Sequence, residues 1–194
     1  MAKKSGRNTK GKIIVAAWKL FYEQGYDDTT IEEIIEESGT SKGSFYHYFA
    51  GKDSLLSSLS YMFDEKYEEL MEEMNPDMHS FDKLMYLNHE LFRMIEDKIP
   101  MDILAKLYSS QLITKGEKHL LDHNRIYYKL LKRIFSEGQE KGEIVKDPSV
   151  NELVRVYALC ERALLYDWCL SNGDYSLSRY ADHMFPLFLG KFKN

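Results

Sequence analysis

The chain has 194 residues, of which 44% are hydrophobic, and a formal net charge of −5 at pH 7. This length allows one domain or two small ones around a buried core, and four prolines with eleven glycines exclude a collagen-like or largely disordered chain. Because the chain is acidic overall, contact with nucleic acid requires a local basic patch, which residues 1–12 supply with Lys3, Lys4, Arg7, Lys10 and Lys12.

Apolar residues recur at intervals of three and four along the chain, which predicts an all-α fold of about nine helices. The first helix ends at Gly25, and Thr30 begins the second in a capping box with Glu33. That helix ends at Gly39, and Ser41 caps a short third helix. Two short helices joined by a five-residue turn are typical of a helix-turn-helix, so the sequence predicts an N-terminal three-helix domain of this kind.

The third helix has two arcs of side chains that face opposite ways, at about 100° per residue. The arc suited to anchoring the helix contains Phe45, Tyr48 and Phe49. The opposite arc contains Lys42, Gly43, Tyr46 and His47, with Ser44 between the two. Such polar side chains suit base-edge and phosphate contacts in a DNA groove, and helix N-termini favour phosphate. The candidate DNA-binding residues are Thr30, Ser41, Lys42, Gly43, Ser44, Tyr46, His47, Tyr48 and Lys52.

A longer fourth helix is predicted from Gly51 to the break at Asn75-Pro76. Further helices are predicted at about residues 80–97, 100–113, 117–140, 148–172 and 176–191. We expect a DNA-binding domain with its basic tail at residues 1–52, and a helical ligand-sensing and dimerisation domain at residues 53–194. Because no stretch approaches the ~20 uninterrupted apolar residues of a membrane span, the sequence predicts a soluble cytoplasmic protein without membrane partners.

The N-terminal segment resembles the signature of the TetR (tetracycline-repressor) family of bacterial transcriptional regulators. The resemblance covers about residues 9–60 and rests on Thr29-Thr30-Ile31, Ser38-Gly39-Thr40-Ser41-Lys42-Gly43-Ser44-Phe45-Tyr46-His47-Tyr48-Phe49 and Lys52-Asp53-Ser54-Leu55-Leu56. A weaker similarity, to the turn before the family's dimerisation helices, lies at residues 138–144. The resemblance implies a repressor in which DNA is touched by Lys42, Ser44, Tyr46, His47 and Lys52, with Thr30 on the backbone.

The last two predicted helices are apolar on most sides, so they must be covered all round. The remaining helices of a small domain are too few to cover both, which predicts pairing with the same two helices of a second subunit. The expected interface residues are Tyr157, Leu164, Trp168, Tyr180, Met184, Leu187 and Phe188. A homodimer doubles the DNA contact and sets the half-site spacing, whereas the alternative is that these helices form only the core of one chain.

The middle helices concentrate aromatic and polar side chains that suit a pocket for a small, largely apolar or aromatic effector. The candidate pocket residues are Tyr61, Tyr67, Tyr86, His89, Phe92, Tyr108, Gln111, Tyr127, Tyr157 and Glu161. For each of them, ordinary core packing is the alternative. Glu161 carries the most weight, because a carboxylate within an apolar helix must find a partner or change its protonation state. Arg162 beside it, or a group across the dimer, is the expected partner.

No enzymatic activity, cofactor or metal is expected, because the sequence contains no phosphate-binding glycine loop or nucleophile elbow. His119 and His123, with Asp122, have the i, i+4 spacing of metal ligands on one helix. Two histidines do not complete a metal site, so a solvated helix face is expected. Cys160 and Cys169 fall on opposite faces of one helix, which predicts buried free thiols, with an intersubunit disulfide or a redox sensor as the alternative.

Together these features predict a DNA-binding transcriptional regulator that binds a palindromic operator as a dimer. An effector in the C-terminal half is expected to shift the fourth helix, so that the two recognition helices no longer match the operator. The alternative is a helical ligand-binding or protein-interaction module without operator specificity.

Overall fold

Ten α-helices follow one another in the computed structural model, which describes residues 2–113 and 118–194. They are α1 (Ala2–Gln24), α2 (Ile31–Ser38), α3 (Lys42–Tyr48), α4 (Lys52–Leu56), α5 (Ser58–Glu73), α6 (Ser80–Lys98), α7 (Met101–Ile113), α8 (Ile126–Glu140), α9 (Val150–Leu170) and α10 (Leu177–Leu189). Short 3₁₀ turns lie at His119–Leu121 and Gly190–Phe192. Within the described ranges the only β-type pairing is one bridge between Ile144 and Lys193, so the all-α class is confirmed.

Helices α2 and α3 begin where local capping predicts. The Thr30 hydroxyl accepts from the Glu33 backbone N–H, and the Glu33 carboxylate accepts from the Thr30 backbone N–H, which completes the capping box. Gly39 ends α2 in the left-handed conformation, with φ at 60°. The Ser41 hydroxyl then accepts from the backbone N–H of Ser44 and starts α3. All of these capping interactions join residues a few positions apart, so the sequence alone predicts them.

The predicted fourth helix is wrong as a single element, because it is divided into α4 and α5 at Ser57. The hydroxyl of Ser57 donates to the carbonyl of Ser54, that of Ser58 to Leu55, and that of Ser60 to Ser57. Serine hydroxyls that bond nearby carbonyls compete with the regular helical ladder, which accounts for the interruption.

The helix predicted at residues 117–140 begins only at Ile126. Before it, the backbone N–H of Asn124 donates to the Asp122 side chain, and that of Arg125 donates to the Asp122 carbonyl. These bonds form a turn, so His119 and His123 do not share an α-helix, and the helix predicted to carry both is corrected.

The chain divides into two compact units, and the division falls within α5. Unit 1 contains residues up to 61 together with the described part of 100–120, whereas unit 2 contains residues 62–99 and 121–194. In unit 1, the Trp18 indole N–H donates to the Ser58 hydroxyl at 2.8 Å, which ties α1 to α5. In unit 2, α6 packs against α8 and α10, and α9 packs against the same two helices. The functional boundary expected after residue 52 stays a prediction.

Gly138 lies where α8 meets the following turn and the start of α6. Its carbonyl accepts from the backbone N–H groups of Glu143 and Ile144, at 2.8 and 3.0 Å. A Cβ at this position would stand 2.6 Å from Ile144 Cδ1 and 2.9 Å from Ser80 Cβ. There is therefore no room for a side chain on this helical glycine.

Gly138→Ala is expected to lower the free energy of unfolding by roughly 1–2 kcal/mol, because the overpacking outweighs the gain in helix propensity. Gly11→Ala in α1 is the matched control, since nothing lies within 4 Å of its added Cβ. That control is expected to stabilise the chain by about 0.5–1 kcal/mol. Urea unfolding followed by circular dichroism measures both, and an unchanged midpoint for Gly138→Ala would contradict the close packing described.

Candidate nucleic-acid interface and interior polar cluster

Helix α3 has one buried face and one open face. Phe45 is fully buried, Phe49 is 5% exposed, and the Phe45 ring also meets the Tyr46 ring edge-on. Tyr48 is half-buried, with its ring against that of His47. The open face carries three exposed side chains at the predicted positions, Lys42, Tyr46 and His47. With 48% of Tyr46 exposed, the side of α3 expected to approach DNA is accessible in this chain.

The hydroxyl groups near the starts of α2 and α3 already have partners. The Thr30 hydroxyl bonds Glu33 Oε2 at 2.7 Å, and the Ser41 and Ser44 hydroxyls lie 2.9 Å apart. Because the Glu33 carboxylate accepts hydrogen bonds from the backbone and side chain of Thr30, its pKa is lowered. Around Gly43 there is space, since an added Cβ would meet only Ser41 Oγ at 3.9 Å. A phosphate that binds the Thr30 N–H or hydroxyl would therefore have to replace the Glu33 carboxylate.

Lys52 has a structural role that the sequence did not predict. Its ammonium donates to the carbonyl oxygens of Tyr26, Asp27 and Thr29, at 2.6, 3.2 and 2.7 Å. It also lies 4.4 Å from the centroid of the Tyr26 ring. The Lys52 ammonium, which was expected to contact DNA, instead connects the start of α4 to the turn between α1 and α2.

The acidic residues of α2 are partly balanced by neighbouring lysines. Glu37 pairs with Lys19 at 2.7 Å, and Glu32 lies 3.4 Å from the ammonium of Lys42. Close to the end of α3, Lys10 lies 5.9 Å from the centroid of the Phe49 ring. The predicted contributions of Lys3, Lys4 and Arg7 depend on side chains that lie outside the described part of the structure. Within unit 1, positive charge thus stands near both ends of α3.

Glu161 in α9 lies at the centre of an interior polar cluster of unit 2, which also contains Tyr67, Asn88, Tyr127 and Tyr157. The Glu161 side chain is only 5% exposed. Its Oε1 accepts from the Tyr67 hydroxyl at 3.2 Å and from the Asn88 amide at 3.0 Å, and its Oε2 accepts from the Tyr127 hydroxyl at 2.5 Å. The carboxyl therefore joins helices α5, α6, α8 and α9.

The expected pairing of Glu161 with Arg162 is corrected by this arrangement. Arg162 donates instead to the Tyr128 hydroxyl, at 3.4 Å, whereas Glu161 accepts from Tyr67, Asn88 and Tyr127. Burial raises the pKa of the Glu161 carboxyl, although its hydrogen-bond donors act in the opposite direction. Sequence reasoning missed Asn88, whose signal is a polar residue on the buried stripe that Leu84, Leu87 and Leu91 form in α6.

The remaining candidates for a pocket are dispersed. In unit 2, Phe92 is fully buried and packs against Phe185, while the His89 ring pairs with Asp182 at 3.0 Å and Tyr86 is half-buried. Unit 1 contains the other three, of which Tyr61 is exposed, and Tyr108 and Gln111 are half-buried in α7. The contacts of Glu161 are made within unit 2 by Tyr67, Tyr127 and Asn88, so the predicted set contains only part of one cluster.

The predicted interface residues of α9 are wrong, because Tyr157, Leu164 and Trp168 are at most 5% exposed and belong to the core of unit 2. A different face of the same helix is open, with Leu159, Ala163, Tyr166 and Leu170 at helical spacing. On α10 the predicted residues do reach the surface, since Tyr180, Leu187 and Phe188 are exposed and Met184 is half-buried. Helices α9 and α10 pack together. We call their exposed apolar side chains the α9–α10 face, which comprises Leu159, Ala163, Tyr166 and Leu170 on α9 and Tyr180, Leu187 and Phe188 on α10.

Neither the histidines nor the cysteines form a recognisable reactive site. No group of three or more potential metal ligands occurs in the part of the chain that the structure describes. Cys160 and Cys169 are free and half-buried in α9, and burial raises the pKa of the Cys169 thiol to about 11. Because the thiolate is the reactive form, such burial disfavours reaction at neutral pH. Among the described helices, none has the length and hydropathy needed to cross a membrane.

Two family models match the chain over almost all of its length. Residues 13–59 match the model described as bacterial regulatory proteins of the tetR family. Residues 62–191 match the model described as the C-terminal region of YsiA-like proteins. Both parts of the chain are thus similar to known regulators.

Individual relatives agree with these matches. An uncharacterised HTH-type transcriptional regulator of Lactococcus lactis is 50% identical over 46 residues, which is only 24% of each chain. The HTH-type transcriptional regulator QacR of Staphylococcus aureus is 30% identical over 139 residues, covering 70% of this chain and 73% of QacR. The crystal structure of the regulator FadR of Bacillus subtilis, in complex with stearoyl-CoA, has a TM-score of 0.70 at 22% identity, covering 92% of this chain and 97% of FadR. That structure supports the fold alone.

Proposed function

This chain belongs to the TetR family of bacterial regulatory proteins, and we propose from this membership that it binds operator DNA as a homodimer. The observation that carries the proposal is the open face of α3, where Lys42, Tyr46 and His47 are exposed while Phe45 anchors the helix from behind. A rigid helix with a lysine and two ring side chains on its outer face suits major-groove contacts.

The α9–α10 face supports the dimer. Leu159 is 59% exposed and Leu187 is 67% exposed, and each lies in a stripe of apolar side chains on its helix. Large contiguous apolar patches are rare on monomeric soluble proteins, because they leave apolar area in contact with water. A second copy that offers the same face would cover both stripes around a twofold axis, which in turn calls for a palindromic operator.

Effector binding in unit 2 is proposed to release the operator. Helix α5 contributes residues to both units, so an effector that changes its position has a direct covalent route to unit 1. The effector acts only through a difference in its affinity for the DNA-bound and released states. The FadR relative makes a fatty acyl-CoA the first class of effector to consider. We propose a binding protein rather than an enzyme, acting in the cytoplasm where operator DNA lies.

A gel-shift assay with the DNA upstream of the protein's own gene tests this function. We expect one shifted complex that contains two chains, with affinity that falls steeply as salt rises, because phosphate contacts release counterions. A scrambled duplex of the same length is the control, and its binding is expected to be at least about 1,000-fold weaker. Equal retention of the two duplexes would favour a helical module without operator specificity.

A further inference from the structure

One ammonium group connects the two ends of the helix-turn-helix within unit 1. The Lys52 ammonium has three N–H donors, and three backbone carbonyls accept from it, those of Tyr26, Asp27 and Thr29, at 2.6, 3.2 and 2.7 Å. The number of acceptors therefore equals the number of donors, and the residue is half-buried. In this arrangement, no N–H of Lys52 remains for a phosphate of DNA.

Neighbouring contacts attach the same turn to the start of α4. The Tyr26 ring lies 4.4 Å from the Lys52 ammonium, and the Tyr26 hydroxyl donates to the Asp53 carboxylate. The Thr29 hydroxyl donates to the Gly25 carbonyl at 2.7 Å. Because Tyr26 is 3% exposed and Thr29 is 1% exposed, water is a poor substitute for these partners. The turn is thus held through both its backbone and its side chains.

The bond from Lys52 to the Thr29 carbonyl closes a segment of chain that contains both α2 and α3. Thr29 directly precedes Thr30, the N-cap of α2, and Lys52 is the first residue of α4, which follows α3. Helix α2 has 8 residues and α3 has 7. Helices as short as these have little stability of their own, so contacts that hold the ends of the segment restrict where α3 lies. We call residues 29–52 the closed segment.

The lysines at the two ends of α3 differ in what they contact. At its start, the Lys42 side chain is 68% exposed, and its ammonium lies 3.4 Å from the carboxylate of Glu32. Such an exposed ion pair is weak, so Lys42 is available to a phosphate or a base. After the end of α3, Lys52 is engaged by three carbonyls. Two residues with the same charge are therefore suited to different tasks.

We propose that Lys52 is a positioning residue for operator recognition, which keeps α3 in its reading orientation by closing segment 29–52 and which makes no contact with DNA. The proposal rests on the proposed function, because it assigns a part of operator recognition to this lysine. It replaces the expectation that Lys52 touches DNA. Discrimination between operator and other DNA then depends on a side chain that reads no base.

The Lys52→Met variant tests this role, because methionine keeps the unbranched apolar stem and removes the donors. Operator affinity is expected to fall at least about tenfold, since a displaced α3 weakens base contacts in both half-sites. Affinity for a scrambled duplex is expected to fall by less than about twofold, because phosphate contacts elsewhere support it. Fluorescence anisotropy measures both affinities at a temperature where circular dichroism shows the variant folded.

The ratio of the two affinities separates the possible roles of Lys52. A lost phosphate contact would weaken binding of the operator and of the scrambled duplex equally, and would leave the ratio unchanged. A role in stability alone would leave both affinities of the folded chain unchanged. Either of these results would overturn the proposal, whereas a fall confined to the operator supports it.

Lys106→Met is the matched control, since it removes a second lysine from the same turn. The Lys106 ammonium, from α7 in unit 1, lies 2.7 Å from the Asp27 carboxylate and 5.9 Å from the centroid of the Tyr26 ring. This lysine bonds a side chain, so its loss leaves segment 29–52 closed. Operator affinity is expected to change by less than about twofold. An equal loss of discrimination in Lys52→Met and Lys106→Met would overturn the proposal, because charge near the turn would then suffice.

Lysine acetylation of the wild-type chain decides the matter even if Lys52→Met does not fold. The reagent is N-hydroxysulfosuccinimide acetate, and peptide mass spectrometry measures the rate at each lysine. In the free chain, Lys52 is expected to react at least about tenfold more slowly than Lys42, because its three hydrogen bonds must open first. Operator DNA is expected to slow the reaction of Lys42 and to leave that of Lys52 unchanged. Protection of Lys52 by the operator, or equal rates in the free chain, would overturn the proposal.

These measurements also distinguish the proposal from the regulatory function. Slow acetylation of Lys52 in a chain that binds no operator would remove the proposed function and leave the closed segment. Operator binding by the wild type, with full discrimination retained in Lys52→Met, would leave the regulator and overturn the inference.

Discussion

Replacing Lys42 and Tyr46 together with alanine is expected to weaken operator binding by about 100-fold or more, because each side chain that contacts a base or phosphate contributes about 1–3 kcal/mol. Both side chains are exposed. The ammonium of Lys42 lies 3.4 Å from the carboxylate of Glu32, and this ion pair is exposed to solvent. The free energy of unfolding is therefore expected to change by less than about 0.5 kcal/mol for each surface substitution.

Fluorescence anisotropy with a labelled operator measures the effect, and thermal unfolding by circular dichroism checks that the fold persists. Lys146→Ala is the matched control, because it removes one exposed positive charge from unit 2. In the Lys42→Ala single variant, the dependence of log affinity on log salt is expected to become shallower by about two, because each subunit of the dimer loses one phosphate contact. A double variant that keeps wild-type affinity would mean that α3 does not enter the groove.

Introducing charge into the α9–α10 face is expected to separate the dimer. Leu159→Glu combined with Leu187→Glu places two carboxylates per chain in a face that dimerisation would bury, and each unpaired buried charge costs several kcal/mol. We expect the dissociation constant of the dimer to rise by at least about 100-fold, so that sedimentation at micromolar concentration gives the mass of one chain. Operator affinity is expected to fall in parallel, since one half-site contact is lost.

Leu112→Glu is the control for this experiment, because Leu112 in α7 is also strongly exposed, at 74%, and is not part of the α9–α10 face. Trp168→Ala gives a contrasting result, since Trp168 is buried in the chain's own core and its indole N–H donates to the Tyr175 carbonyl. Its truncation is expected to lower the stability of the chain by about 3–5 kcal/mol. A wild-type chain that already sediments as a monomer would refute the dimer.

Much of the N-terminal fold was predictable, because its signals are local. The capping box of Thr30 and Glu33, the left-handed Gly39 and the Ser41 cap each act across three or four residues. The burial of Phe45 and the exposure of Tyr46 follow from the helical period once α3 is placed. By contrast, the break at Ser57 depends on hydrogen bonds from consecutive serine hydroxyls to backbone carbonyls, and the spacing of apolar residues does not indicate those bonds.

The candidate site in the C-terminal half was predictable only in part. Glu161 was identifiable from the cost of placing an acid in an apolar helix, but its partners Tyr67, Asn88 and Tyr127 stand 94, 73 and 34 residues away in sequence. Arg162, the expected partner, is adjacent in sequence, yet it bonds to Tyr128 instead. Adjacent residues on a helix point about 100° apart, so proximity in sequence is a poor guide to pairing in the interior.

The sequence by itself determined the all-α class and the position and open face of the helix-turn-helix, since those depend on caps and periods that span few residues. Only the tertiary structure decided which side of α9 is core and which is surface, placing Trp168 inside and Leu159 outside. A helix that is apolar on most sides has no intrinsic preference between burial in its own chain and burial against another. The helices that pack on it make that choice, and their arrangement is set by contacts distant in sequence.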